Sequence, residues 1–325
     1  MSRFKVVVTD YVFPSLDIER SVLGVIGAEV TAMQAASDEQ LLDAVGDADG
    51  LLVCYAPVTG RVIERAAKCR IIARYGIGVN NVDVPTASAR GIIVTNVPDY
   101  CLEEVSDHAL AMLLDSARRV TFLDRRVRSG RWEAKDAVPA FRLRGRTLGL
   151  VGFGRIPRLL AEKARAFGLR VLAFDPYVDA GSMERQGVTK VEFNRLLAES
   201  DYVSVHAPLT AETTGLINET TLRAMKPTAF LINTSRGPVV DDAALARALR
   251  EQWIAGAALD VLPTEPPGRD HPLLSFENVI LTPHAAFYSE ESLRELQTKA
   301  AEEVASVLLG RQPRYRVNAP QSAVR

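Results

Sequence analysis

Short apolar runs alternate with amphipathic stretches along most of the chain. In the first hundred residues, Lys5-Val6-Val7-Val8-Thr9, Glu29-Val30-Thr31-Ala32-Met33, Gly50-Leu51-Leu52-Val53, Ile71-Ile72-Ala73-Arg74 and Gly91-Ile92-Ile93-Val94 are strand-like, rich in branched residues. Between them, 17–25, 38–45 and 59–67 carry helical spacing. Such alternation predicts a parallel sheet covered by helices on both faces, with a core of its own.

From Cys101 to Ser129 the pattern changes to one long helix, apolar at Val105, Ala109, Met112 and Leu113, expected to bridge two α/β regions. Residues 125–145 are basic, with Trp132 and Phe141 interleaved and Pro139 interrupting, and predict a loop or short helices with a solvated face. A second α/β region then runs from Arg146 to about Leu281. Its apolar runs, at 147–151, 171–174, 202–205, 229–233, 256–259 and 278–281, each end in polar, Gly or Pro residues. In doubly wound sheets ligands sit beyond the carboxyl ends of the strands, so chemistry is sought at those tails. Ser289 to Leu309 predicts an amphipathic helix with Leu293, Leu296, Ala300, Val304 and Val307 on one side and Glu290, Glu291 and Glu295 in its first turns. This helix is expected to return to the first domain, with 312–325 extended or frayed.

The second region opens with Gly152-Phe153-Gly154 between an apolar run and a helix-compatible segment, and a further apolar run ends at Asp175. That is the order of a βαβ nucleotide-binding unit. Gly152 permits a tight turn. Gly154 lets backbone approach a pyrophosphate at the N-terminus of the next helix. Asp175, about 20 residues further on, is placed for an adenosine ribose and would repel a 2′-phosphate, which points to NAD over NADP. Pro157 stands where the fingerprint has its third Gly; a first helical turn tolerates it, because its missing N–H has no partner there.

Three strand tails carry groups that suit one reaction. Arg236, in Asn233-Thr234-Ser235-Arg236-Gly237, offers a planar fork for a carboxylate. Glu265 and His284 follow the next two strands, and a carboxylate behind an imidazole fixes its tautomer for proton transfer near neutral pH. Beside a nicotinamide the three suffice for hydride transfer to or from a 2-hydroxy acid. Of the remaining histidines, His108 reads as packed or hydrogen-bonded, His206 as a strand end lining the cofactor cleft and His271 as a loop residue.

Composition narrows the classes. With 325 residues the chain has room for two cores, and 39 basic against 40 acidic residues leave a formal net charge of −1. No block of like charge predicts nucleic-acid or membrane binding. No apolar run approaches the length of a membrane span, and Met1-Ser2-Arg3-Phe4-Lys5 leads into a strand, so a cytoplasmic protein is expected. Cys54, Cys69 and Cys101 read as free structural thiols, and no His or Cys spacing suggests a metal.

At these residues the sequence resembles the D-isomer-specific 2-hydroxyacid dehydrogenase family. The matching segments are Tyr75 to Asp83, Asn96-Val97-Pro98, Gly152 to Ile156, His206 to Thr210, Asn233 to Gly237, Ala258-Leu259-Asp260-Val261 and Thr282-Pro283-His284, in the family's order. The resemblance implies two doubly wound parallel-sheet domains: a discontinuous flavodoxin-like substrate domain (1–100 and 286–325) and an inserted NAD-binding Rossmann domain (101–285), through which a homodimer forms. It implies Arg236, Glu265 and His284 as the catalytic set and Ile77, Gly78, Arg236 and Phe287 as substrate contacts. Gly152, Gly154, Arg155, Ile156, Asp175, His206, Pro208, Thr213, Thr234, Ser235, Asp260 and His284 are implied for NAD. The segment His284-Ala285-Ala286-Phe287 looks closest to the C-terminal-binding-protein branch, with Ala286 where Gly is usual and Phe287 expected to favour an apolar 2-oxo acid. Two other readings stand beside it. One is an NAD(H)-responsive protein-binding module. The other is a short-form phosphoglycerate dehydrogenase, with no room after Arg325 for a regulatory domain and with Arg74, Arg142 or Arg144 facing a phosphate.

Overall fold

The computed structural model describes residues 3–319 and divides into two compact units. One is made by the chain up to Cys101 together with the chain from Tyr288 onward, and the other spans Leu102–Phe287.

The first unit is built on five parallel strands, β1 (Phe4–Val8), β2 (Ala28–Ala32), β3 (Gly50–Val53), β4 (Ile71–Arg74) and β5 (Ile93–Thr95), in the order β2-β1-β3-β4-β5. β3 and β4 are buried along their whole length, which is why they read as continuous apolar runs and not as alternation. The helix Glu290–Leu308 packs on the helix Asp17–Gly24 and across β3 and β4, burying Leu293, Leu296, Ala300, Val304 and Val307. Ser289 and Ser292 close a capping box at its start. The stretch 38–45 differs from expectation: only Glu39–Leu41 is helical, a single 3-10 turn. Leu41 and Val45 are buried, but so short a segment before Gly46 gains too few hydrogen bonds to offset nucleation.

The second unit holds seven parallel strands, β6 (Thr147–Val151), β7 (Arg170–Phe174), β8 (Thr189–Lys190), β9 (Tyr202–Val205), β10 (Phe230–Asn233), β11 (Gly256–Leu259) and β12 (Val279–Leu281). Their order is β12-β11-β10-β9-β6-β7-β8. The winding reverses between β6 and β9, so the crevice at their carboxyl ends is the topological switch point. β8 was not foreseen, being two polar residues at the sheet edge.

The single bridging helix expected over 101–129 is in fact two, Leu102–Arg118 and Val120–Arg128. Arg119 takes a left-handed conformation (φ 55°) between them, and the Asp115 carboxylate accepts the Thr121 N–H at 2.8 Å, capping the second helix. Leu102–Arg118 buries Val105, Ala109, Met112 and Leu113, whereas Val120–Arg128 buries none of its residues.

Candidate active site

The chain leaves β6 through Gly152, whose φ of +97° suits glycine and whose added Cβ would lie 3.1 Å from the His206 carbonyl carbon. The tails of β6 and β9 therefore touch at the switch point. Gly154 is extended and opens the helix Arg155–Ala166, which has no side-chain cap; a Cβ on Gly154 would meet nothing within 4 Å. Pro157 is the third residue of that helix, buried within the first turn. Arg155 is exposed and Ile156 half-buried beside it.

Asp175 organises this loop. Its Oδ2 accepts the Phe153 N–H at 2.8 Å, and its Oδ1 accepts those of Tyr177 and Val178 at 2.8 and 3.2 Å. Across the switch point the His206 Nε2 and the Ser204 hydroxyl are 2.8 Å apart, and burial pushes the His206 imidazole down to about 4, so it is neutral at pH 7. The Thr213 hydroxyl donates to the Pro208 carbonyl at 2.5 Å and shapes the following loop. After β10 the Ser235 hydroxyl donates to Asn233 Oδ1 at 2.8 Å, while the buried Thr234 hydroxyl has no partner. The uncapped helix start, the open face at Gly154 and the orphaned Thr234 hydroxyl, at strand carboxyl ends of one sheet, fit a dinucleotide.

Gly237 sets the corner that carries Arg236. A Cβ there would lie 2.0 Å from the Leu262 carbonyl carbon, so only glycine lets this turn press on the Leu262–Pro263 backbone. Asn233 pins the same turn, donating to the Arg236 carbonyl at 3.0 Å and accepting the Ser235 N–H at 3.0 Å. The Arg236 guanidinium, through Nη1, donates to the Ser235 carbonyl at 2.7 Å. Glu265 Oε1 accepts the Leu262 N–H at 2.9 Å, and its Oε2 lies 2.6 Å from His284 Nδ1. Burial by itself would raise the Glu265 carboxyl. The His284 hydrogen bond and charge, the Leu262 N–H and the Arg236 charge outweigh it and hold the group below its usual range.

His284 sits at φ +52°, a left-handed conformation uncommon for residues other than glycine. Its N–H donates to the Asp260 carbonyl at 2.8 Å. The Asp260 carboxylate, 2% exposed, accepts the N–H groups of Ala285 and Ala286 at 2.8 and 2.9 Å and the Thr282 hydroxyl at 2.5 Å. Asp260 thus ties down the turn that presents the imidazole. Phe287 stands nearly perpendicular to that ring, centroids 6.2 Å apart. A cavity of about 350 Å³ lies alongside, walled by Leu262, Pro266, Leu274, Leu281 and His284.

Arg236, Glu265 and His284 are therefore gathered in one unit at the carboxyl ends of β10, β11 and β12. Ile77 and Gly78 belong to the other unit, on the loop after β4, where Asn96 Nδ2 donates to the Ile77 carbonyl at 2.7 Å. Residue-by-residue reading assigned no individual role to Thr282 and had His108 packed or hydrogen-bonded; the His108 Nε2 lies 2.9 Å from the Thr282 hydroxyl. The one available signal was that Asp260 and Thr282 end adjacent strands. Among the described residues no three His, Cys, Asp or Glu side chains gather as a metal site requires.

The pattern describing the D-isomer specific 2-hydroxyacid dehydrogenase NAD binding domain matches residues 110–286. The chain is 44% identical over 286 residues to a glyoxylate reductase of Korarchaeum cryptofilum, covering 87% of this chain and 86% of that one. It is 38% identical over 318 residues to a D-3-phosphoglycerate dehydrogenase of Synechocystis, covering 97% of this chain but 56% of that protein's length. Its fold is similar to the crystal structure of D-lactate dehydrogenase from Aquifex aeolicus complexed with NAD and lactic acid, with a TM-score of 0.89, 28% identity and coverage of 98% and 100%. The chain belongs to the D-isomer specific 2-hydroxyacid dehydrogenase family and is an NAD-dependent oxidoreductase.

Proposed function

We propose that this enzyme reduces a small 2-oxo acid to the D-2-hydroxy acid, and runs the reverse reaction, with Arg236 as carboxylate clamp and His284 as acid/base. NAD, when bound, supplies the hydride acceptor or donor. Gly152, Gly154, Arg155 and Ile156 would hold its pyrophosphate region, Asp175 its ribose, and His206, Pro208, Thr213, Thr234, Ser235 and Asp260 the remainder of the cleft. Arg236 binds the substrate carboxylate through its fork and polarises the C2 oxygen. His284, held by Glu265 at Nδ1, gives a proton from Nε2 to that oxygen in reduction and takes it back in oxidation. The observation that carries this reading is the 2.6 Å His284–Glu265 pair with Arg236 close enough to help hold Glu265 ionised.

The backbone of Ile77 and Gly78 is proposed as a further carboxylate contact on the resemblance alone. Phe287, beside the imidazole, supports an apolar 2-oxo acid and a place near the C-terminal-binding-protein branch. Trp132 and Val138, 85% and 71% exposed, are proposed as part of a homodimer contact of the NAD-binding unit. No helix among the described residues is long and apolar enough to cross a membrane, and three buried thiols suit the cytoplasm.

One observation favours a second reading, the short-form phosphoglycerate dehydrogenase. Arg74, at the end of β4, is 9% exposed and its Nε has no partner, as a guanidinium reserved for an anion would be.

The test is NADH consumption with glyoxylate, pyruvate, hydroxypyruvate, 3-phosphohydroxypyruvate and branched 2-oxo acids, with NADPH in parallel. Turnover confined to the phosphorylated acid selects the second reading. Turnover with none of them, together with NADH-dependent capture of a protein, would select a binding module instead.

A further inference from the structure

His108 projects from the helix Leu102–Arg118, with Nε2 2.9 Å from the Thr282 hydroxyl and 3.6 Å from Asp260 Oδ1. The hydroxyl has one proton to give. Thr282 donates it to Oδ1 of the buried Asp260 carboxylate, which also accepts two backbone N–H groups. Thr282 must then accept from His108, which places an N–H on Nε2 whether the imidazole is neutral or charged. Two donors form a relay in series toward the carboxylate, His108 to Thr282 and Thr282 to Asp260, and from the other side the Ala285 and Ala286 N–H groups that follow His284 donate to the same carboxylate.

We propose that His108 is a positioning residue for the reaction: its Nε2–H, through the Thr282 hydroxyl, orients the Asp260 carboxylate that keeps His284 left-handed and its imidazole on Glu265. A left-handed conformation outside glycine persists only where its surroundings over-determine it. Here the surroundings are the Asp260 and Thr282 carbonyls, which accept the His284 N–H, and the Asp260 carboxylate, whose lone pairs Thr282 and, through it, His108 orient. The inference rests on His284 being the acid/base. It goes beyond that reading in assigning work to a helix residue that hydrogen-bonds Thr282.

The test compares His108→Leu, His108→Gln, Thr282→Val and the double variant His108→Leu/Thr282→Val in the full-length enzyme, with His284→Ala alongside. His108→Leu is expected to lower kcat about 10-fold through a misplaced imidazole, with the KM for NADH and for the 2-oxo acid within about twofold of wild type. His108→Gln, whose amide still donates, should restore most of the loss. The double variant should be no slower than Thr282→Val, because both changes cut one relay. Unchanged kcat in His108→Leu, equal losses in the Gln and Leu variants, or multiplying losses in the double variant would overturn the proposal. If His108→Leu does not fold, His108→Gln and Thr282→Val carry the same comparison: near-wild-type turnover in the first with a kcat loss in the second supports the relay, and any other pairing contradicts it. Full turnover in His284→Ala would instead overturn the acid/base reading and this inference with it.

Discussion

Nδ1 of His284 and Oε2 of Glu265 are 2.6 Å apart, although each comes from a different strand tail and His284 must adopt a left-handed backbone to make the contact. With His284 as the proposed acid/base, the carboxylate leaves Nε2 as the nitrogen that would exchange the proton and would supply a counter-charge to the protonated ring. Glu265→Gln keeps the shape and removes the charge. Its kcat for reduction is expected to fall by about 10–10²-fold, with cofactor affinity unchanged, as read by steady-state kinetics and NADH fluorescence titration. An unaltered kcat would remove Glu265 from the mechanism.

Arg236 is expected to tolerate no cationic substitute. Lys carries the charge without the planar fork, so Arg236→Lys should raise the KM for the 2-oxo acid by roughly 10-fold or more and lower kcat as well. NADH binding should stay as it is. A variant that bound NADH poorly but kept its substrate KM would move Arg236 to the cofactor.

Besides its proposed ribose contact, Asp175 holds three backbone N–H groups of the surrounding loops with its two oxygens. Asp175→Ala should therefore weaken NADH binding by about 10-fold or more, through loss of loop order as well as of ribose contact. It should not by itself produce an efficient NADPH enzyme. Titration of the variant with both cofactors checks this, and tight NADPH binding would show that charge repulsion alone sets the preference.

His206 gives the protein a pH-dependent stability. Its imidazole titrates near 4 in the folded chain against about 6.5 when unfolded, so between those values the unfolded state binds the extra proton. Stability should rise with pH across that window and lose roughly 1–3 kcal/mol on acidification through it. In His206→Asn this part of the slope should vanish. Urea unfolding at a series of pH values measures it, and an identical slope in the variant would contradict the assignment.

The parallel sheets were legible because buried strands write themselves as uninterrupted apolar runs such as Leu51-Leu52-Val53 and Leu148-Gly149-Leu150-Val151. Arg236, Glu265 and His284 could be picked out as candidates because each follows such a run. Local capping was harder to read: Asp115 breaks the bridging helix through a side-chain bond to Thr121, and nothing in the apolar spacing marks it. The support beneath His284 was hidden for a different reason. Asp260, Thr282 and His108 are far apart in sequence, and only the pairing of β11 with β12 and the packing of the helix Leu102–Arg118 bring them together.

The most direct measurement is the single-turnover rate of His284→Ala with bound NADH and a 2-oxo acid that the wild type reduces. A rate lowered about 10²–10⁴-fold, with NADH affinity retained, is what an acid/base at this position predicts. A rate within a few-fold of wild type would contradict it and place the proton donor elsewhere.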